Sequence, residues 1–138
     1  MFKLNRKTEY ALRGLRYLAN QPSDRFIMIK EISQAAEASP IFLGKIFQLL
    51  NAAGIVTSSR GVDGGFKLSR DPGEITVKEI LEATEGPIWV NQCVVDSRSC
   101  KLTQTCIAHD IWIELRSTIN KMLDGATLKQ IAAGSAHK

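Results

Sequence analysis

The sequence predicts a mainly α fold, a winged helix-turn-helix with a long C-terminal dimerisation helix. Three observations carry that prediction: an amphipathic helix with an explicit start at Ser39-Pro40, a glycine-rich hairpin directly after it, and a continuous apolar stripe near the C-terminus. With 138 residues, 44% of them hydrophobic, the chain can bury a real core but is too short for two ordinary domains. One compact domain is expected, with a winged helix-turn-helix region at 1–86, a cysteine segment at 87–106 and a dimerisation helix with its tail at 107–138.

A first helix is expected over residues 4–20, with Ala11, Leu12, Leu15 and Leu18 on its apolar side. Phe26-Ile27-Met28 reads as a short strand that could pair with the wing. Residues 29–36 form a short helix, and Glu37-Ala38 the turn of a helix-turn-helix. Ser39 caps the next helix through its hydroxyl, and Pro40 occupies the first helical position, where its missing N–H is no loss. The spacing of Phe42, Ile46, Leu49, Leu50 and Ala53 predicts the buried stripe, leaving Ile41, Gly44, Lys45 and Gln48 on a face read as polar.

Gly54 falls where a left-handed residue stops a helix. Residues 55–58 and 66–68 then flank a loop holding Arg60, Gly61, Gly64 and Gly65, which is the wing. Asp71-Pro72-Gly73 is a turn, and Thr76 with Glu79 three residues on is a capping box opening another helix, ended by Glu85-Gly86-Pro87. Residues 88–105 read as an ordered loop. The last long helix is expected over 106–123, where Ile107, Ile111, Leu115, Ile119, Met122 and Leu123 make a stripe wide enough for a partner helix. A short helix over 127–133 and a frayed tail over 135–138 complete the chain.

Taken alone, an amphipathic helix is most often core packing and a glycine-rich turn only a hairpin. The succession of helix, turn, helix and wing is what points to double-stranded DNA. Charge agrees. The net charge is +4, but residues 1–70 hold 11 Lys/Arg against 5 Asp/Glu and residues 71–138 hold 7 against 9. The basic half is therefore the half with the wing, where phosphate contacts are wanted. Expected DNA contacts are Ser39, Pro40, Lys45 and Gln48 in the major groove, with Gln48 able to pair with adenine. Arg60 is expected in the minor groove and Arg6 or Lys7 on phosphate. No apolar run approaches a membrane span and the N-terminus lacks the apolar core of a secretion signal, so a cytoplasmic protein without a membrane partner is expected. Nothing resembles paired acid and base residues, so no enzyme is expected.

Cys93, Cys100 and Cys106 lie within fourteen residues, with His109 one helical turn beyond Cys106. Three cysteines cannot all pair internally, and their spacing suits an iron–sulfur cluster or zinc, because thiolates match both. A cluster-free thiol-responsive regulator uses the same residues, and an iron–sulfur electron carrier is a further alternative that leaves the winged helix unexplained.

The chain resembles the Rrf2 family of bacterial transcription regulators over nearly its whole length. The resemblance is carried by Thr8-Glu9-Tyr10-Ala11-Leu12-Arg13, by the run from Ala53-Gly54-Ile55-Val56 through Ser58, Arg60-Gly61 and Gly64-Gly65-Phe66 to Leu68, and by the three-cysteine segment before the long helix. It implies a homodimer that holds an iron–sulfur cluster and changes its DNA affinity with cluster state. It also implies Cys93, Cys100 and Cys106 as cluster ligands. Cys106-Ile107-Ala108-His109 is similar to members in which the histidine completes a [2Fe-2S] cluster. Glu9 stands where others place a carboxylate ligand contributed by the other subunit, which is the alternative fourth ligand, with [4Fe-4S] left open. Two departures stand out. The Cys93–Cys100 interval is one residue longer than the family's usual spacing, and Gly44 replaces an acidic side chain.

Overall fold

A computed structural model describes residues 3–88, 90, 94 and 96–134. Helices α1 (Arg6–Ala19), α2 (Ile29–Ala36) and α3 (Pro40–Ala52) pack on one another and on an antiparallel hairpin, β1 (Val56–Ser59) and β2 (Gly65–Leu68). A 3-10 turn at Pro72–Glu74 leads to α4 (Val77–Glu85), and a second at Ser97–Ser99 precedes α5 (His109–Asp124) and α6 (Leu128–Ala132). No helix among the described residues is long and apolar enough to cross a membrane.

The local start signals act as their chemistry dictates. Ser39 accepts a hydrogen bond from the Phe42 N–H at 3.1 Å, and Thr76 and Glu79 close a reciprocal capping box. A second capping box, Thr127 with Gln130, opens α6. Glu79 is held by more than the box, because Arg70 donates to its Oε1 at 2.8 Å and to the Glu74 carbonyl at 3.0 Å. Burial works to raise the Glu79 carboxyl, but the Thr76 N–H and then the Arg70 guanidinium outweigh it and hold it below the ordinary carboxylate value. Its charge therefore stabilises the fold above the ordinary carboxylate range, and the contribution is lost as pH falls through the lowered value. Glu79→Gln keeps an acceptor for the Thr76 N–H but loses the charge. It is expected to melt below wild type at neutral pH and to converge with it in acid; a gap that persists in acid would assign the effect to geometry instead.

The core lies where α1, α3 and the hairpin meet. Ala11, Leu15 and Leu18 of α1 face Leu43, Ile46, Phe47 and Leu50 of α3, with Ile27, Ile55, Val56 and Phe66 closing the hairpin side. Gly14 lets α1 approach closely: a Cβ there would lie 2.8 Å from the Phe47 ring. Val56 pairs with Leu68 and Ser58 with Phe66, and the expected third strand is reduced to a bridge in which Ile27 and Phe66 exchange backbone hydrogen bonds at 2.8 Å. Gly65, at φ +146°, lies against this bridge, and a Cβ would collide with the Ile27 carbonyl.

Polar groups join α1 to α4. Thr8 and Thr84, both buried, share a 2.9 Å hydrogen bond, and Glu85 accepts from Thr8 and from Asn5, each at 2.7 Å. After α5 the chain returns to the core: Leu128 N–H donates to the Ile75 carbonyl at 2.9 Å, Val77 N–H to Ala126, and the Leu128 side chain is fully buried.

Two expectations are corrected. The buried stripe of α3 is Leu43, Ile46, Phe47 and Leu50, whereas Phe42 and Leu49 are 40% and 41% exposed and Ala53 is exposed. Both readings satisfy three-to-four-residue spacing, because this helix is apolar on most of its circumference. What selects the observed one is the fit of Phe47 between Gly14 and Phe66, whose ring centroid lies 5.2 Å away. The last long helix begins at His109 rather than at Cys106, since residues 101–108 form successive turns and Ala108 at the N-cap position has no side chain able to cap. The expected tail over 135–138 lies outside the described residues.

Candidate nucleic-acid interface

The geometry of the helix-turn-helix is set at Glu37. This residue adopts a left-handed φ of 57° and ends α2, with its own N–H bonded to Gln34 and the Ala38 N–H bonded to the Ser33 carbonyl. Arg13 of α1 supports the junction, donating to the Ala36 carbonyl at 3.5 Å and lying 3.8 Å from the Glu37 carboxylate. The next helix thus leaves in a defined direction, with its capped N-terminus facing outward.

Ser39 and Pro40 are exposed at the start of α3, and Lys45 and Gln48 are exposed along the side of the helix opposite the buried stripe. The hydroxyl oxygen of Ser39 is engaged in its cap, which leaves its proton free for an acceptor such as a phosphate. The exposed face is not uniformly polar, contrary to the expectation from the sequence. Ile41 is 78% exposed, and Phe42 lies edge-on to Tyr10 of α1 at 5.7 Å.

The wing is tied to α3 and tightly turned. Asn51 of α3 donates to Ser58 of β1 at 3.3 Å, and Gly64 N–H donates to the Gly61 carbonyl at 3.0 Å across the tip. A Cβ on Gly64 would collide with the Ser59 carbonyl oxygen, so the tip accepts only glycine there. Arg60 and Val62 project from this tip, both exposed. Arg6, Lys7, Lys45 and Arg60 make no salt bridge among the described residues, whereas Arg13, Arg25, Arg70 and Lys78 are each paired with a carboxylate. The cations expected on DNA are thus left with unneutralised charge. Lys67 of β2, which sequence reasoning passed over, lies 4.7 Å above the Phe26 ring beside the wing; its alternation with buried Phe66 was the available signal. Arg60→Ala is expected to weaken duplex binding and to lower the slope of log K against log salt by about 1. Anisotropy titrations at several salt concentrations measure both, and unchanged binding would remove Arg60 from the interface.

The cysteine segment is only partly described, and Cys93 lies outside the described residues. Cys100 and Cys106 are exposed. The Cys100 carbonyl accepts from the Thr103 N–H and hydroxyl, and the Cys106 carbonyl accepts from the His109 N–H at 3.3 Å, which ties Cys106 to the start of α5. His109 Nδ1 is buried, and among the described residues it has no hydrogen-bond partner. Among the described residues, no three His, Cys, Asp or Glu side chains converge closely enough to hold a metal ion, so Cys100, Cys106 and His109 are not gathered into one such set. Glu9 lies on the exposed flank of α1, engaged by Arg13 at 2.7 Å. Arg116 of α5 reaches back to this segment, donating to the Ile88 carbonyl at 3.1 Å and the Val94 carbonyl at 3.3 Å.

Helix α5 has no buried residue. Ile111 and Leu115 are 59% and 41% exposed, and Ile107 just before the helix is 97% exposed. Beside it, Leu4, Leu12, Val77, Leu81 and Leu123 line a mainly apolar groove of about 390 Å³.

Comparison with known proteins is consistent across the whole chain. The Rrf2 family profile, described as "Iron-dependent Transcriptional regulator", matches residues 4–134. The HTH-type transcriptional regulator IscR of Aliivibrio salmonicida is 30% identical over 129 residues, covering 94% of this chain and 76% of that one. The HTH-type transcriptional regulator CymR of Bacillus subtilis is 30% identical over 131 residues, covering 95% and 90%. Among solved structures, that of CymR (YrzC), the global cysteine regulator of B. subtilis, superposes with a TM-score of 0.77 at 29% identity, covering 99% of this chain and all of that one. The structure of T. potens IscR gives 0.70 at 25% identity, covering 98% and 89%.

Proposed function

The chain belongs to the Rrf2 family of transcriptional regulators, and from that premise we propose that it acts as a homodimer on a duplex operator, its grip set by an iron–sulfur cluster. It is a transcription regulator, not an enzyme. The observation that carries the DNA reading is the capped α3, which leaves Ser39, Pro40, Lys45 and Gln48 exposed while its other face is locked into the core, beside Arg60 of the wing, which makes no salt bridge among the described residues. Dimerisation would cover two surfaces the single chain leaves open, the apolar face of α5 and the groove between α1 and α4.

For the cluster, the donors are the thiolates of Cys93, Cys100 and Cys106, with His109 Nδ1 as fourth ligand and a [2Fe-2S] cluster as the expected type. Among the described residues the buried His109 Nδ1 has no hydrogen-bond partner, a condition that costs about 1–3 kcal/mol of desolvation and that coordination would offset, and this favours His109 over Glu9, whose carboxylate is already engaged by Arg13. A bound cluster would supply redox chemistry and dependence on iron. The chain's own residues transmit the change: the Cys106 carbonyl is bonded to the first residue of α5, and Arg116 on α5 holds the carbonyls of Ile88 and Val94. A shift in the segment is thereby a shift at the dimer helix, and so in the spacing of the two reading helices.

A second reading, a cluster-free or zinc-binding thiol-responsive regulator, is favoured by the exposure of Cys100 and Cys106 and by the similarity to a cysteine regulator. Anaerobic purification separates the two, with iron, zinc and acid-labile sulfide quantified beside an absorption spectrum and duplex binding measured before and after cluster removal. About two iron and two sulfide per chain, with binding that changes on removal, is the result expected for a [2Fe-2S] sensor. Stoichiometric zinc, or no metal after attempted reconstitution, would transfer the mechanism to the thiols.

A further inference from the structure

The outward face of α3 holds two residues that the fold does not explain. Ile41, the second residue of the helix, is 78% exposed, away from the buried stripe of Leu43, Ile46, Phe47 and Leu50. Gly44, one turn on, has ordinary helical backbone, and a Cβ added to it would meet nothing within 4 Å. Glycine inside a helix is less favourable than alanine, and neither packing nor a positive φ requires it here. Such a glycine is accounted for when something outside the chain must approach the backbone closely. Residues 41, 44, 45 and 48 share one helical face, so Ile41 forms one wall of the open notch at Gly44, and Lys45 and Gln48 continue the same surface.

The surroundings identify the visitor. Lys45 on the same face and Arg60 on the wing make no salt bridge among the described residues, and the hydroxyl of Ser39 retains a proton to donate, so the notch lies in a field suited to a polyanion. A helix entering the major groove contacts base edges through the residues of its N-terminal turns, and the only apolar group displayed there is the C5-methyl of thymine. We propose that Ile41 reads thymine through its C5-methyl group, and that the missing side chain at Gly44 admits that base edge against the helix. The β-branch of Ile41 restricts χ1 in a helix, so the side chain is already ordered before contact. This assignment rests on the regulator reading above and adds which base a specific residue selects.

The test uses the full-length protein, purified anaerobically. Duplexes are first selected from a random pool with the wild-type chain. Each thymine of a selected half-site is then replaced by deoxyuridine, which removes only the methyl group, and affinities are measured for wild type, Ile41→Ala and Gly44→Ala. At one or two thymines, deoxyuridine is expected to weaken wild-type binding about fourfold per methyl group lost from contact. Ile41→Ala should show no such penalty at the same positions. Gly44→Ala should melt at or above the wild-type temperature yet bind the selected duplex more weakly. If wild type selects a duplex but no thymine is methyl-sensitive, or if Ile41→Ala keeps the full penalty, the assignment to Ile41 is overturned while the regulator reading stands. Failure to select any duplex would overturn both.

Discussion

Replacing Phe47 by alanine is expected to remove about 3–5 kcal/mol of folding stability, the usual range for truncating a buried phenylalanine. Phe47 is fully buried. Its ring edge fills the space left by Gly14 on α1 and meets the Phe66 ring of β2 at a centroid distance of 5.2 Å, so one side chain joins α1, α3 and the hairpin. Neighbours held by the rest of the core can collapse only partly into the vacancy, which adds a cavity term to the lost transfer free energy. Against a typical total of about 5–15 kcal/mol, the variant retains a marginal fold, and its melting temperature is expected to drop by about 10–20 °C. Urea unfolding followed by circular dichroism measures this directly. A loss below about 1 kcal/mol would mean that α1, α3 and the hairpin do not depend on this ring.

The double substitution Ile111→Asp with Leu115→Asp is expected to give a folded monomer with greatly weakened operator binding. Ile111 and Leu115 are 59% and 41% exposed in the single chain, and none of the residues of α5 is buried, so the change costs the protomer little of its own packing. In a dimer built on α5, the same change buries two carboxylates without partners, which is prohibitive. Two linked reading heads gain from the high effective concentration of the second after the first has bound, so loss of the dimer should reduce affinity by about 10²–10⁴. Sedimentation equilibrium and thermal melting on the same sample separate assembly from folding. A variant that remains dimeric would place the interface elsewhere, and one that unfolds would mean that α5 supports its own protomer.

How legible each element was depends on the range of the interaction that makes it. The starts of α3 and α4 were readable because Ser39 reaches only to Phe42 and Thr76 only to Glu79, so donor and acceptor lie in one short window of sequence. The wing was readable because glycines at tight turns leave a local mark, and Phe26-Ile27-Met28 was read as a short strand that could pair with the wing, though the pairing formed as a single bridge. The face buried by α3 was not readable, because Phe42 and Leu43 are both apolar and either phase satisfies helical spacing. The Thr8–Thr84–Glu85 network left no pattern either, since threonine and glutamate are as common on surfaces as in such junctions. His109 was visible as a candidate ligand, but the burial of its Nδ1 without a partner among the described residues depends on what surrounds the start of α5.

By itself the sequence determined the order of helices and wing, the capped start of α3, the concentration of positive charge in the first seventy residues, and the presence of three thiols before the last long helix and an imidazole at its start. These follow from short-range hydrogen bonds, backbone sterics and composition, none of which requires knowing the neighbours in space. Only the tertiary structure decided that Leu43 and Phe47 face inward and Ile41 outward, that Arg60 and Lys45 lack carboxylate partners among the described residues, that Arg116 holds the cysteine segment, and that α5 is left uncovered. Each of those outcomes turns on which of several equally apolar or equally charged side chains meets a distant partner. Close packing makes that choice once for the whole chain, when Gly14, Phe47 and Phe66 come together.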